Sequence, residues 1–246
     1  MPESLYDPQR SRLRNWSRRR AHELRVEADL LRWHLTGKGQ ITWPGMGEPF
    51  NGQKARTEAI RAIVDVFRPD LFLETGTFLG HTTELLAGYG KPVHTAELKR
   101  SFAAVARRRL RRSPNVRVHR RPSLEVIRGL PRDSQRLFAY LDAHWWSDDP
   151  PLAREVAELA AGWPELVVVI DDFQVPGDPG YVFDTWGGRA FDESLLQLPE
   201  GVGAAYPAAP SEQETGAVHG CIYLFQGEQA RRALRRAGDE GLVRPA

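Results

Sequence analysis

Short apolar runs alternate with amphipathic stretches through most of this 246-residue chain. The runs fall at 71–73, 93–96, 116–118, 137–141 and 166–170. The stretches between them, at 82–87, 101–112, 123–130 and 153–161, carry apolar residues at helical spacing. Strands that alternate with helices predict a parallel sheet covered by helices on both faces. The fifth run, Leu166-Val167-Val168-Val169-Ile170, has no polar alternation, as a central strand buried on both sides requires. A short helix is predicted at 191–198, and closing strands at 203–206 and 218–225. A loop of about ten residues joins these two strands without a helix, so they should pair antiparallel. The expected fold is α/β and doubly wound, five parallel strands followed by a closing antiparallel hairpin.

Ahead of this core lies an extension. The first nine residues read as frayed. From 11 to 35 Leu13, Trp16, Leu24, Leu30, Leu31 and Trp33 are spread among Arg and Glu in a helical pattern. Such an appended helix would lie over a ligand site, cover a sheet edge, or pair with its twin in a homo-oligomer. Residues 36–52 are rich in Gly and Pro and read as a loop. Its apolar Trp43, Met46 and Phe50 suit a lid. A second helix follows at 53–67, with Ala59, Ile60, Ile63, Val64 and Phe67 on its apolar face. The chain therefore divides into an N-terminal helical extension with lid loop, 1–52, and a main domain, 53–246.

Composition narrows the setting. No apolar run is long enough to span a membrane, and the basic N-terminus has no apolar stretch behind it as a secretory signal would. The one cysteine, Cys221, cannot form an internal disulfide or a thiolate zinc site. A reducing, cytoplasmic location is expected. A net charge of +2 gives no reason to expect nucleic acid. The charge is unevenly placed, however. Lys99 to Arg136 is strongly basic, with only Glu125 and Asp133 against it, whereas 142–200 is acidic, with only Arg154 and Arg189. The basic stretch fits either helix-forming arginines or a phosphate-binding face. Several carboxylates of the acidic stretch fall at strand ends.

Ligands of an open α/β sheet bind beyond the C-terminal ends of the strands. The first strand ends in Glu74-Thr75-Gly76-Thr77-Phe78-Leu79-Gly80-His81-Thr82-Thr83. Gly76 permits close backbone approach, and Gly80 lets a helix start tightly against the strand. Two glycines four apart are not a dinucleotide fingerprint, and Glu74 stands where a pyrophosphate binder avoids negative charge. It suits a ligand with an ammonium and a sulfonium, whose carboxylate would face the next helix N-terminus. Thr77 and Thr82 belong to the same candidate cofactor loop. Glu97 ends the second strand, placed either to accept bonds from ribose hydroxyls or to stand solvated. Ser123, opening the helix after the third strand, would be an N-cap, an adenine neighbour, or both.

With these residues in place the sequence resembles the class I S-adenosylmethionine (SAM)-dependent methyltransferases over about residues 53–226. The resemblance rests on ETGTFLG after strand one, Glu97 after strand two, LDAHW after strand four and VIDDF after strand five. It is nearest to the metal-dependent O-methyltransferases of the catechol and natural-product sugar types. It implies a Rossmann-like, seven-stranded, mostly parallel sheet with an antiparallel last strand, SAM as cofactor, bound also by Asp142, and a magnesium ion on Asp142, Asp171 and Asp172. The chemistry of the residues agrees: three carboxylates at neighbouring strand ends repel unless something positive sits between them, and oxygen ligands favour a hard cation. Where the catechol enzymes carry a basic lysine this chain has Trp145. His144 is the substitute base, a metal ligand, or a group that orients the cofactor. The implied activity is methyl transfer to a hydroxyl of a small molecule, with Asp142 and His144 as catalytic residues. Trp43, Trp145, Trp146, Tyr181 and Trp186 would wall the acceptor site, and the loop 175–181 would act as its lid. Two other readings stay open: methylation of RNA or another polyanion through the basic stretch, or a SAM-fold protein without methyl transfer.

Overall fold

The structure is a computed structural model that describes residues 12–39, 44–143, 151–186, 188–196 and 198–246. The chain forms two units, the first carrying helix α1 (Arg12–Thr36) and the second running from Pro44 to Ala246. In the first unit Val26 and Leu30 are buried, and the Thr36 hydroxyl donates to the Arg32 carbonyl at 2.7 Å before Gly37 turns into the left-handed region. No helix among the described residues is long and apolar enough to cross a membrane.

The second unit is built on five parallel strands: β1 (Leu71–Thr75), β2 (Val93–Ala96), β3 (Val116–His119), β4 (Arg136–Leu141) and β5 (Glu165–Asp171). Helices α2 (Lys54–Phe67), α3 (His81–Ala87), α4 (Arg100–Arg109), α5 (Ser123–Arg128) and α6 (Leu152–Gly162) precede or connect them. A small hairpin, β6 (Thr185–Trp186) with β7 (Arg189–Ala190), leads to β8 (Gly203–Pro207), β9 (Cys221–Gln226), α7 (Glu228–Asp239) and β10 (Val243–Pro245). Strand order in the large sheet is β10-β8-β9-β5-β4-β1-β2-β3. Strand β9 runs antiparallel to both β5 and β8, as the closing hairpin predicted.

The sheet has eight strands where seven were expected. The eighth, β10, pairs antiparallel with β8 at the edge, its Val243 opposite Pro207. Three residues ending in proline carry almost no strand signal. The helix predicted at 191–198 is only a tight turn, Glu193–Leu195, capped by the Asp192 carboxylate through the Ser194 N–H; Leu196 is already extended.

Alternate residues of each strand feed two cores. Leu71, Leu73, Leu137, Leu141, Val168 and Ile170 pack on the face covered by Val126 and Ile127 of α5 and Val156 and Leu159 of α6. Phe72, Phe138, Tyr140, Val167 and Val169 face Ile60, Ile63 and Val64 of α2 and Ala230 and Ala233 of α7. The chain leaves β1 for β2 on one side, and β4 lies on β1's other side. The order therefore reverses at β1, which makes the C-terminal ends of β1 and β4 the place where a ligand of such a sheet is expected.

Candidate functional site

Gly76 stands at that reversal with φ +85°, and a Cβ there would lie 2.2 Å from the Asp142 carbonyl. The Asp142 N–H also donates to Thr75 at 2.9 Å. The loops after β1 and β4 therefore touch backbone to backbone, which only glycine permits. Gly80, at φ +82°, opens α3 and donates its N–H to Thr77.

The two predicted cofactor glutamates meet the loop and its strand differently. Glu97 lies beside the loop: its carboxylate accepts the Phe78 N–H at 2.9 Å and the Lys99 N–H at 2.7 Å. Burial raises its pKa against those bonds. Glu74 turns inward instead. It is buried and accepts hydroxyl protons from Thr83 and, at 2.7 Å, from Thr95, whose oxygen also meets Thr77 at 2.5 Å. These bonds tie α3 and β2 to the end of β1. Burial pushes the Glu74 pKa up to about 7. The folded state thus binds a proton that the unfolded chain has released. Stability is full below the ordinary carboxylate range and falls as pH rises through about 7, by about 3 kcal/mol at 1.36 kcal/mol per unit. Urea midpoints for Glu74→Gln are expected to show that slope flattened between pH 5 and 7; an unchanged slope would place the titration elsewhere.

Thr82 is engaged from outside the loop, its hydroxyl accepting the Phe50 N–H at 3.0 Å. Ser123 is the first residue of α5 and is buried, but the cap position belongs to Pro122 and no side-chain cap bond forms. The N-cap reading of Ser123 is thereby corrected, because the helix starts one residue earlier than an N-cap serine requires.

Beside the Gly76 loop lie the carboxylates at the ends of β4 and β5. Burial raises the pKa of Asp142 well above the usual range, and Asp171 and Asp172 add to the effect. Asp171 is fully engaged. One oxygen accepts Arg56 Nη1 and the Asp172 N–H at 2.9 Å; the other accepts the Tyr140 hydroxyl at 2.6 Å and Asn51 Nδ2 at 3.2 Å. Arg56 and Asp171 are both about 1% exposed, and Arg56 also donates to Tyr140 at 3.1 Å and to the His219 carbonyl. Asp172, in the left-handed region at φ 54°, bonds His219 Nδ1. Burial would lower the His219 pKa, but that bond and the nearby carboxylates raise it above its ordinary value.

The expected magnesium site meets this arrangement poorly. A carboxylate has about four acceptor positions, and protein donors fill all four of Asp171's. The carboxylates and imidazole that converge within 4.8 Å are Asp171, Asp172 and His219, a set without Asp142 and with a nitrogen donor. Magnesium favours octahedral oxygen. Of the predicted ligands Asp142, Asp171 and Asp172, the structure brings Asp171 and Asp172 together with His219, and Asp171 also belongs to a buried ion pair.

His144, Trp43, Trp145 and Trp146 lie outside the described residues. Tyr181 does not wall a site: it is buried in the core and its hydroxyl donates to Ala209 at 2.9 Å. The loop around it is pinned by Asp178, which accepts Ser211 N–H, Ser211 hydroxyl and Gly180 N–H. Trp186 is 37% exposed on the β6–β7 hairpin. The loop before α2 is no free flap either. Phe50 is buried, its ring 5.0 Å from that of Tyr140, and Asn51 reaches Asp171.

Asn51, Gln53, Arg56, Tyr140 and His219 were not among the sequence candidates. Arg56 had a signal. It falls one helical turn before Ala59 and Ile60, on the apolar stripe of α2, where a charge needs a buried partner.

No family model matches the sequence, and no curated protein matches it. Solved structures do match. An O-methyltransferase from Bacillus cereus in complex with SAH aligns with TM-score 0.51 and 18% identity, over 82% of this chain and 90% of that one. The chain shares its fold. A structure described by the conversion of a disulfide bond into a thioacetal group during echinomycin biosynthesis aligns with TM-score 0.52 and 17% identity, over 82% and 91%.

Proposed function

We propose that this chain is a SAM-dependent methyltransferase acting on a hydroxyl of a small molecule. The observation that carries the reading is the sheet reversal, where the Gly76 loop touches Asp142 and the Glu97 carboxylate holds the Phe78 N–H of the same loop. Carboxylates here suit a cationic ligand with a ribose and repel a pyrophosphate. The fold shared with a SAH-bound O-methyltransferase supports the same reading. SAM, when bound, supplies a methyl group already activated by its sulfonium charge, so the protein's task is positioning. In this reading Glu97 holds the ribose hydroxyls and the 76–80 loop takes the methionine end. The acceptor lies over the ends of β4 and β5. Two histidines are candidates to take its proton: His144, two residues past Asp142 in sequence, and His219, whose Nδ1 is held by Asp172.

Calorimetric titration with SAM and SAH tests the binding half, and transfer of labelled methyl to a panel of hydroxylated small molecules tests the chemistry. Binding without transfer to any acceptor would leave a SAM-binding protein; no binding would end the proposal. Glu97→Gln is expected to weaken SAM by about 1.5–3 kcal/mol, as for a bond to a charged group, or roughly tenfold to a hundredfold.

A further inference from the structure

The acidic end of the sheet already contains a cation. Asp171 is the last residue of β5, and Arg56 reaches it from the first turn of α2. The guanidinium is placed by more than this one bond. Gln53 Nε2 and Arg56 Nη2 both donate to the His219 carbonyl, the former at 2.9 Å. The N–H groups of Ala55 and Arg56, in the first turn of α2, are taken by the Glu214 carboxylate at 2.9 and 3.1 Å. Helix α2 is thus fixed at its N-terminus by the loop that carries His219, and Arg56 cannot swing aside without breaking that frame.

A divalent ion needs open lone pairs and uncompensated negative charge. Asp171 offers neither. Displacing Arg56 would strand a guanidinium in the core, a cost of several kcal/mol. We infer that Arg56 takes the electrostatic place of a divalent cation at this strand end, so that the protein binds no stoichiometric metal there and works without one. The activity half of this inference rests on the methyltransferase reading; the binding half does not.

The test uses the full chain after exhaustive dialysis against EDTA. Mn²⁺ is titrated in and its free signal followed by electron paramagnetic resonance. The expected result is no stoichiometric uptake and a melting temperature unmoved by Mg²⁺ or Mn²⁺. Where labelled methyl transfer is observed, it should persist in EDTA and not rise on adding Mg²⁺. An Arg56→Met variant, with the Asp171 charge uncovered, should gain Mn²⁺ uptake or a Mn²⁺-dependent rise in melting temperature. Should that variant fail to fold, the wild-type titration decides alone. Stoichiometric Mn²⁺ binding by the wild type, or chelation loss restored by Mg²⁺, would overturn the inference. Absence of SAM binding would instead remove the methyltransferase reading and leave the metal result standing.

Discussion

A Gly76→Ala variant is expected to bind SAM more weakly and to transfer methyl roughly 10²-fold more slowly, the cost of displacing reacting groups by about 1 Å. Its Cβ would sit 2.2 Å from the Asp142 carbonyl oxygen and 2.7 Å from the carbonyl carbon, so the two loops must separate. Nothing flexible can yield, because the obstacle is backbone on both sides. The φ of +85° adds strain of about 1–3 kcal/mol for a residue with a side chain. The variant should therefore melt earlier and bind SAM weakly. Calorimetry and thermal melting separate the two effects. Gly90, also at positive φ but with open space around it, is the control: Gly90→Ala should carry backbone strain alone and leave SAM affinity intact. Equal SAM affinity in the Gly76 variant and wild type would place the cofactor elsewhere.

The second large effect belongs to Arg56. Arg56→Met is expected to cost about 3–5 kcal/mol, because it leaves the Asp171 carboxylate buried and unpaired. A double variant, Arg56→Met with Asp171→Asn, removes the stranded charge and should recover much of the loss. Denaturant midpoints for both singles and the double make the cycle. Additive losses would show that the pair is not coupled, contrary to the geometry.

The strands of the parallel sheet were legible because each is a short apolar run between helical stretches, and LVVVI announces burial on both faces. The carboxylates at strand ends were legible for the same reason: chain order fixes where each strand stops. Helix α7 was not. Its inward face is Ala230, Ala233 and Ala237 set among arginines, too small an apolar stripe to stand out. The partners of Asp171 were hidden by distance along the chain. Arg56 lies 115 residues away and Asn51 lies 120 away, and no local spacing links them. Two consecutive left-handed residues, Phe50 and Asn51, could not be read either, since neither is glycine. Their conformation is set by tertiary ties: Phe50 N–H to Thr82 and Asn51 to Asp171.

The short strand β10 bears on how the protein behaves at high concentration. It covers β8, which would otherwise present an open row of backbone groups to other molecules. It closes on Pro245, which has no N–H to offer a newcomer, and Arg244 is anchored back over Tyr206 and onto the Pro176 carbonyl. The far edge, β3, presents Arg117 and is followed by Arg120 and Arg121. Both margins of the sheet thus resist intermolecular strand exchange. The site at its centre can stay rigid and acidic without the molecule becoming a template for fibres.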